Sequence, residues 1–334
     1  MDVIQRLFIE AHRDYRPDSL NEYFFQESFN IQPEVIGNRF MSRRVYGYIQ
    51  NRLHCKIERQ YIFDNTRVSI CIYCLNKNYP FAELYRVLNF YIIALNRMGH
   101  LPVLNITLYL TNLKKQFPKT SDLILNEDNV NSGVSIFNNE DRMIVIYRKE
   151  ELFKVLLHEL IHYYGIDFHN YGAVHDRYFI EKYGIQVSAP LKNKRNPLAL
   201  FESYTESIAC YGYILTRMLL KGEPIEQSNI TAHVVKETKH YMMQASKVLK
   251  YSHLKENTHL FSYYIVKAAI YAKFNEFIKL INSQGIRLDT LGKQDNYLTF
   301  IKLVVDDETF WKTLKKTKTR TILLSSLKMT QLTW

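Results

Sequence analysis

Hydrophobic positions change their period along the chain, and the change separates a sheet-forming part from a helical one. Residues 1–30 carry apolar positions that predict helix. The stretch "RRVYGYIQNRLHCKIERQYIFDNTRVSICIYCL" alternates like strands, with a turn at Asp64-Asn65. From Phe81, "FAELYRVLNFYIIALNRMGH" returns to helical spacing and ends near Gly99. "LNITLYLT" at 104–111 predicts a strand, and "SGVSIF" and "MIVIYR" predict a hairpin or two neighbouring strands across "NNED". A loop-rich segment runs to about residue 197, and helix dominates from "NPLALFESYTESIACYGYILTRML" onward. The expected class is α+β, with a small mixed sheet first and a mainly helical C-terminal part.

Between the two parts lies "KEELFKVLLHELIHYYG", a helix expected to start near Lys149, with Glu150 and Glu151 in its first turn, and to stop at Gly165. Leu152, Phe153, Val155, Leu156, Leu157, Leu160 and Ile161 make it apolar on nearly every side, so it is expected to be buried. His158 and His162 stand one turn apart on one face, and Glu159 projects to the side of whatever the pair would hold. Burying two imidazoles and a carboxylate in such surroundings is costly unless something pairs them. One Zn²⁺ does so: the two His are ligands, and Glu159 is placed to act as general base on a water. The bland alternative is a His pair that fills a core gap and hydrogen-bonds to its neighbours.

"VLLHELIHYY" resembles the active-site helix of the zincin metallopeptidases, and "VNSGVSI…MIVIYRKEELFKVLLHELIH" is similar to predicted metallopeptidases of large nucleocytoplasmic DNA viruses. The resemblance covers about residues 130–212. It implies a zincin-like fold in which an edge strand, "GVSIF" or "MIVIYR", precedes the helix and pairs with a substrate backbone. It also implies a zinc metallopeptidase acting on a protein or peptide, with virion components among its partners.

A catalytic zinc takes a third protein ligand and leaves one position for water. His169 falls one residue late for the metzincin pattern. His175, in "HDRYF", is similar to the third ligand of Spartan-like proteases, although Asp176 stands where a Gly is expected. Glu206, in "YTES", matches the ligand that gluzincins bring from a second helix, and it is the favoured reading. Glu202, one turn earlier, would then orient a zinc-bound imidazole. Thermolysin-like gluzincins use an Asp four residues after the ligand for that task, and Cys210 stands there instead. His240, His259, Tyr263 and Tyr264 are candidates for the donor that zincins direct at the oxyanion.

Composition narrows the setting. The start "MDVIQRLFIEAHRDYRP" is charged and lacks an apolar signal core, and "FYIIAL" is far too short to span a bilayer, so an intracellular, cytoplasmic protein is expected, virion-associated if the viral resemblance holds. Four scattered cysteines exclude a disulfide scaffold, and "CIYC" at 71–74 lies in a strand pattern that would point Cys71 and Cys74 to opposite faces. Net charge is +11, and no acid follows Glu308, so Lys312, Lys315, Lys316, Lys318, Arg320 and Lys328 make a basic end. That end suits a solvated tail or a docking arm for nucleic acid or another acidic partner. The expected divisions are an N-terminal region 1–78, a metallopeptidase domain 79–308 and a basic tail 309–334. Two other functions stay open: a virion or scaffold protein that keeps a zincin fold without catalysis, and a nucleic-acid-associated protease with His175 as ligand.

Overall fold

Strands β2 (Cys55–Phe63) and β3 (Thr66–Cys74) form the expected hairpin, and its turn residues Asp64 and Asn65 both take positive φ, 46° and 59°. Such a turn matches the right-handed twist of the strands it joins. The chain is described by a computed structural model that covers all residues except 17–20, 39, 77–80, 119–123, 138–141 and 320–325. The turn expected at "NNED" lies outside the described residues.

Six strands build one mixed sheet in the order β1-β2-β3-β4-β6-β5, with β1 Asn21–Phe29, β4 Val103–Tyr109, β5 Gly133–Phe137 and β6 Arg142–Ile146. β3, β4 and β6 run parallel, while β1, β2 and β5 are antiparallel to their neighbours. The first helices are α1 (Val3–Asp14), α2 (Arg43–Arg52), α3 (Phe81–Asn96), α4 (Glu127–Val130) and α5 (Leu152–Tyr163). After α5 come α6 (Ala173–Tyr183), α7 (Ala189–Lys192), α8 (Phe201–Leu220) and α9 (Gln227–Ser252). A π-helical turn (Phe261–Val266) then leads into α10 (Lys267–Ala272), α11 (Phe274–Gln284), α12 (Leu291–Val305) and α13 (Glu308–Lys316). Two short strands, Gln186–Val187 and Lys255–Glu256, pair in parallel apart from the main sheet. No helix among the described residues is long and apolar enough to cross a membrane.

Period two along the strands divides the core into layers. Ile144 and Ile146 face the cluster shared with α1, α3, α5 and α8, whereas Val145 and Tyr147 face a second cluster with Val45 and Ile49 of α2. Cys74 belongs to the first side and Cys71 to the second, so "CIYC" is strand and no half-site for a metal.

Several expectations are corrected here. Asn21–Phe29 is a strand, because its aromatic-rich run finds the free backbone edge of β2. Arg43–Arg52 is a helix, because the Ser42 side chain accepts the Val45 N–H and Val45 and Ile49 bury one face. No division falls at 78/79, since β3 before it is bonded to β4 after it. Helix α5 starts at Leu152, not Lys149: Glu151 precedes it in a left-handed conformation, held by Lys115 and the Thr330 N–H. Its end is as expected. Gly165 has φ 59°, and the Gly165 and Ile166 N–H groups bond back to His162 and Ile161 in a Schellman turn.

The basic end is no free tail. α13 buries Phe310 and Leu314 and presents Lys312, Lys315 and Lys316 to solvent. Residues 326–334 thread back through the molecule, burying Leu327, Met329 and Leu332 and setting Trp334 against Phe153 at 4.9 Å. Arg320 lies outside the described residues.

Candidate metal centre

Every residue of α5 is buried, so its polar groups must find partners inside the protein. One face of the helix is covered by α8, which approaches so closely at Gly212 that a Cβ there would lie 2.8 Å from both Leu157 and Phe8. This close crossing brings two glutamates of α8 to the two histidines of α5.

His158 Nε2 and His162 Nε2 are 3.1 Å apart. Glu202 Oε2 lies 3.2 Å from the first and 3.4 Å from the second. Tetrahedral ligands at zinc bond lengths are about 3.3 Å from one another, so the three atoms fit one face of such a site. The outer nitrogens are engaged as well. His158 Nδ1 meets Glu206 Oε2 at 3.0 Å, and His162 Nδ1 meets Asp167 Oδ2 at 2.7 Å. A neutral imidazole that donates Nδ1–H to a carboxylate turns a bare lone pair outward at Nε2. Two such lone pairs and a carboxylate oxygen thus converge, and Glu202 Oε2 is buried with no hydrogen bond of good geometry. Converging acceptors repel unless a cation lies between them. Burial opposes charge on His162, yet Asp167 and Glu202 outweigh it and hold its pKa well above the ordinary value. The cluster therefore favours positive charge at its centre, and its mix of imidazole and carboxylate suits zinc.

The structure brings Glu202, and not the favoured Glu206, to the two Nε2 atoms. Glu206 is fully buried and meets the outer nitrogen of His158 instead. Lys154 Nζ donates to both of its oxygens at 2.9 and 3.0 Å, Lys267 Nζ donates to Oε1 at 3.1 Å, and Cys210 Sγ is 3.6 Å away. Burial would raise its pKa, but the two ammonium groups and His158 overcome that and hold it well below the usual carboxylate range. Glu206 is thus a fixed anion that orients His158, while Glu202 completes the set of three. The spacing carried a signal for this: with Glu202 as ligand, Glu206 occupies the position four residues on where an orienting carboxylate is expected. Asp167, Lys154 and Lys267 were not anticipated. Asp167 had one cue, being the first acid after the Gly165 helix stop.

Glu159 lines the same cleft beside this network and meets the sheet edge. Ser135 Oγ of β5 is 2.9 Å from both its Oε2 and its backbone oxygen. β5 comes close enough because residue 133 is glycine: a Cβ there would sit 3.0 Å from Glu159 Oε1 and 3.1 Å from Val155. Burial raises the Glu159 pKa above its ordinary value, against the pull of His158, His162 and Ser135.

A cleft of about 400 Å³ opens over the cluster, bounded by Ser135, His158, Glu202, His259 and Tyr263. Tyr263 sits on the π-helical turn and borders the cleft with Glu202, with its ring 6.2 Å from that of His158. His259 lines the same cleft and directs Nδ1 at the Pro197 carbonyl at 3.2 Å. His169 is at the rim, 3.9 Å from Asp167. His175 is not brought to the site, since α6 places it near Asp295 and Lys302. His240 and Tyr264 are also elsewhere, bonded to the Lys328 and Leu327 carbonyls.

No family model, no curated protein and no solved structure matches this chain significantly.

Proposed function

We propose that the chain is a zinc-dependent endopeptidase of zincin-like, gluzincin-like type, with His158, His162 and Glu202 as ligands and Glu159 as general base. The observation that carries this reading is the convergence of three acceptor atoms at tetrahedral spacing beside a carboxylate that is not one of them. Zinc held there would lower the pKa of a water and polarise a peptide carbonyl. Glu159 takes the proton of the attacking water and returns it to the leaving amine. Ser135 keeps the Glu159 carboxylate turned toward the cleft. Tyr263, which borders the cleft, is placed to donate to the developing oxyanion. Among the described residues β5 is an edge strand paired with β6, so its other edge can take an extended peptide backbone, the mode of strand addition.

Two measurements test the reading. Elemental analysis of the purified protein is expected to give about one zinc per chain, lost in the His158→Ala/His162→Ala double variant. Glu159→Gln is expected to keep the zinc and the melting temperature while peptide hydrolysis falls at least about a hundredfold. A zinc-loaded wild type that cleaves no member of a broad peptide library would favour the scaffold alternative.

A further inference from the structure

Past the His158–His162–Glu202 cluster the cleft continues into a hollow of about 30 Å³ among buried side chains. Asn131, Gly133, His158, Glu159 and Tyr263 border both spaces, so the hollow begins at the groups proposed to hold zinc and move protons. Met329 from the returning C-terminal segment lines it, together with Lys154, Lys115 and Glu206. Met329 is held there: its carbonyl accepts from Lys267 at 3.1 Å, and its sulfur lies 3.7 Å from Lys154 Nζ. Ser132 lines the hollow too, with its hydroxyl buried and without a hydrogen-bond partner, although buried hydroxyls nearly always have one.

A space of this size takes about two waters, or a side chain of two or three non-hydrogen atoms. We infer that the hollow receives the side chain beside the scissile bond and restricts it to small residues, Ala or Ser, with Met329 setting the depth and Ser132 waiting for a polar atom. The inference rests on the zinc reading above. A branched side chain would have to displace Met329 from contacts on both its sulfur and its carbonyl, and overpacking of that kind is resisted. A substrate serine would instead satisfy Ser132. Selection here is by fit against buried side chains, where each extra methylene is worth about tenfold or more.

The test is binding rather than turnover. Zinc-loaded protein is titrated calorimetrically with short peptidyl hydroxamates that differ in one substituent next to the zinc-binding group: methyl, hydroxymethyl, isobutyl or benzyl. Wild type should bind the methyl and hydroxymethyl compounds at least about tenfold more tightly than the isobutyl one. Met329→Ala should bring isobutyl level with or ahead of methyl, and Met329→Leu should restore the wild-type order. Ser132→Ala should weaken hydroxymethyl relative to methyl. Equal binding of isobutyl and methyl by wild type, an order unchanged in Met329→Ala, or no binding by zinc-loaded protein would each overturn the inference. Protein that carries no zinc would overturn the function proposed above instead.

Discussion

At residue scale, Glu202 and Glu206 differ only in their neighbours. Glu202 faces two imidazoles, while Glu206 is held by Lys154 and Lys267. Neutralising them should therefore have opposite costs. Glu202→Gln removes a proposed ligand and should lower zinc affinity sharply, because an amide is a poor zinc ligand, while destabilising the metal-free protein less than Glu206→Gln does. Glu206→Gln leaves two buried ammonium groups unbalanced, and breaking such a pair costs about 3–5 kcal/mol. Zinc titration and denaturant unfolding of the metal-free variants separate the two. If Glu206→Gln unfolds like wild type while losing zinc directly, the assignment of the two roles is reversed. The sequence showed that one of these glutamates was a ligand candidate but not which, since the deciding lysines lie 52 and 61 residues from Glu206.

At the scale of elements, the legible ones have their determinants inside their own sequence. α5 is recognisable from unbroken apolar content and the Gly165 stop, and the β2–β3 hairpin from Asp64-Asn65. β1 was not legible, because its strand state depends on the edge of β2, and neither was α2, whose buried face depends on the sheet beneath it. The α5–α8 crossing depends on a glycine whose purpose is invisible locally. Gly212→Ala would drive a methyl into Leu157 and Phe8 at 2.8 Å. A destabilisation of about 1–3 kcal/mol is expected, with weakened zinc binding as the helices separate. Unchanged stability and zinc affinity would mean that the crossing is not held at this point.

Across the whole molecule, the C-terminal segment fastens the layers together. The Thr330 N–H bonds to Glu151 before α5, the Gln331 N–H to Glu237 in α9, and the Lys328 carbonyl accepts from His240. Deleting residues 326–334 should lower the melting temperature by about 10 °C or more and release zinc, since the support of Lys154 and Lys267 goes with it. A truncated protein that melts like wild type would show the segment to be dispensable. His240 also gives this seam a pH dependence. Burial pushes its pKa down to about 4. Between there and the ordinary value of about 6.5 the unfolded chain binds the proton and the folded one does not. Stability present above about pH 6.5 is therefore lost as pH falls toward 4, by up to about 3 kcal/mol. Asp176 and Glu256, raised by burial to about 6 and about 7, act with the opposite sign, so the comparison must be differential. Urea unfolding at pH 7 and pH 4.5 should show a smaller acid loss for His240→Gln than for wild type, and equal losses would refute the account.

The sequence by itself determined the helix that carries His158, Glu159 and His162, because spacing along one helix fixes which side chains share a face. It also determined the hairpin turn and the stop at Gly165, where backbone conformation is set locally. Tertiary structure decided what residues distant in the chain supply: Glu202 rather than Glu206 at the two Nε2 atoms, Asp167 behind His162, Ser135 against Glu159, and Met329 lining the hollow. A helix presents Glu202 and Glu206 on the same face one turn apart, so periodicity cannot rank them. The ranking comes from the close α5–α8 crossing and from where Lys154 and Lys267 deliver their charge, and these are properties of packing.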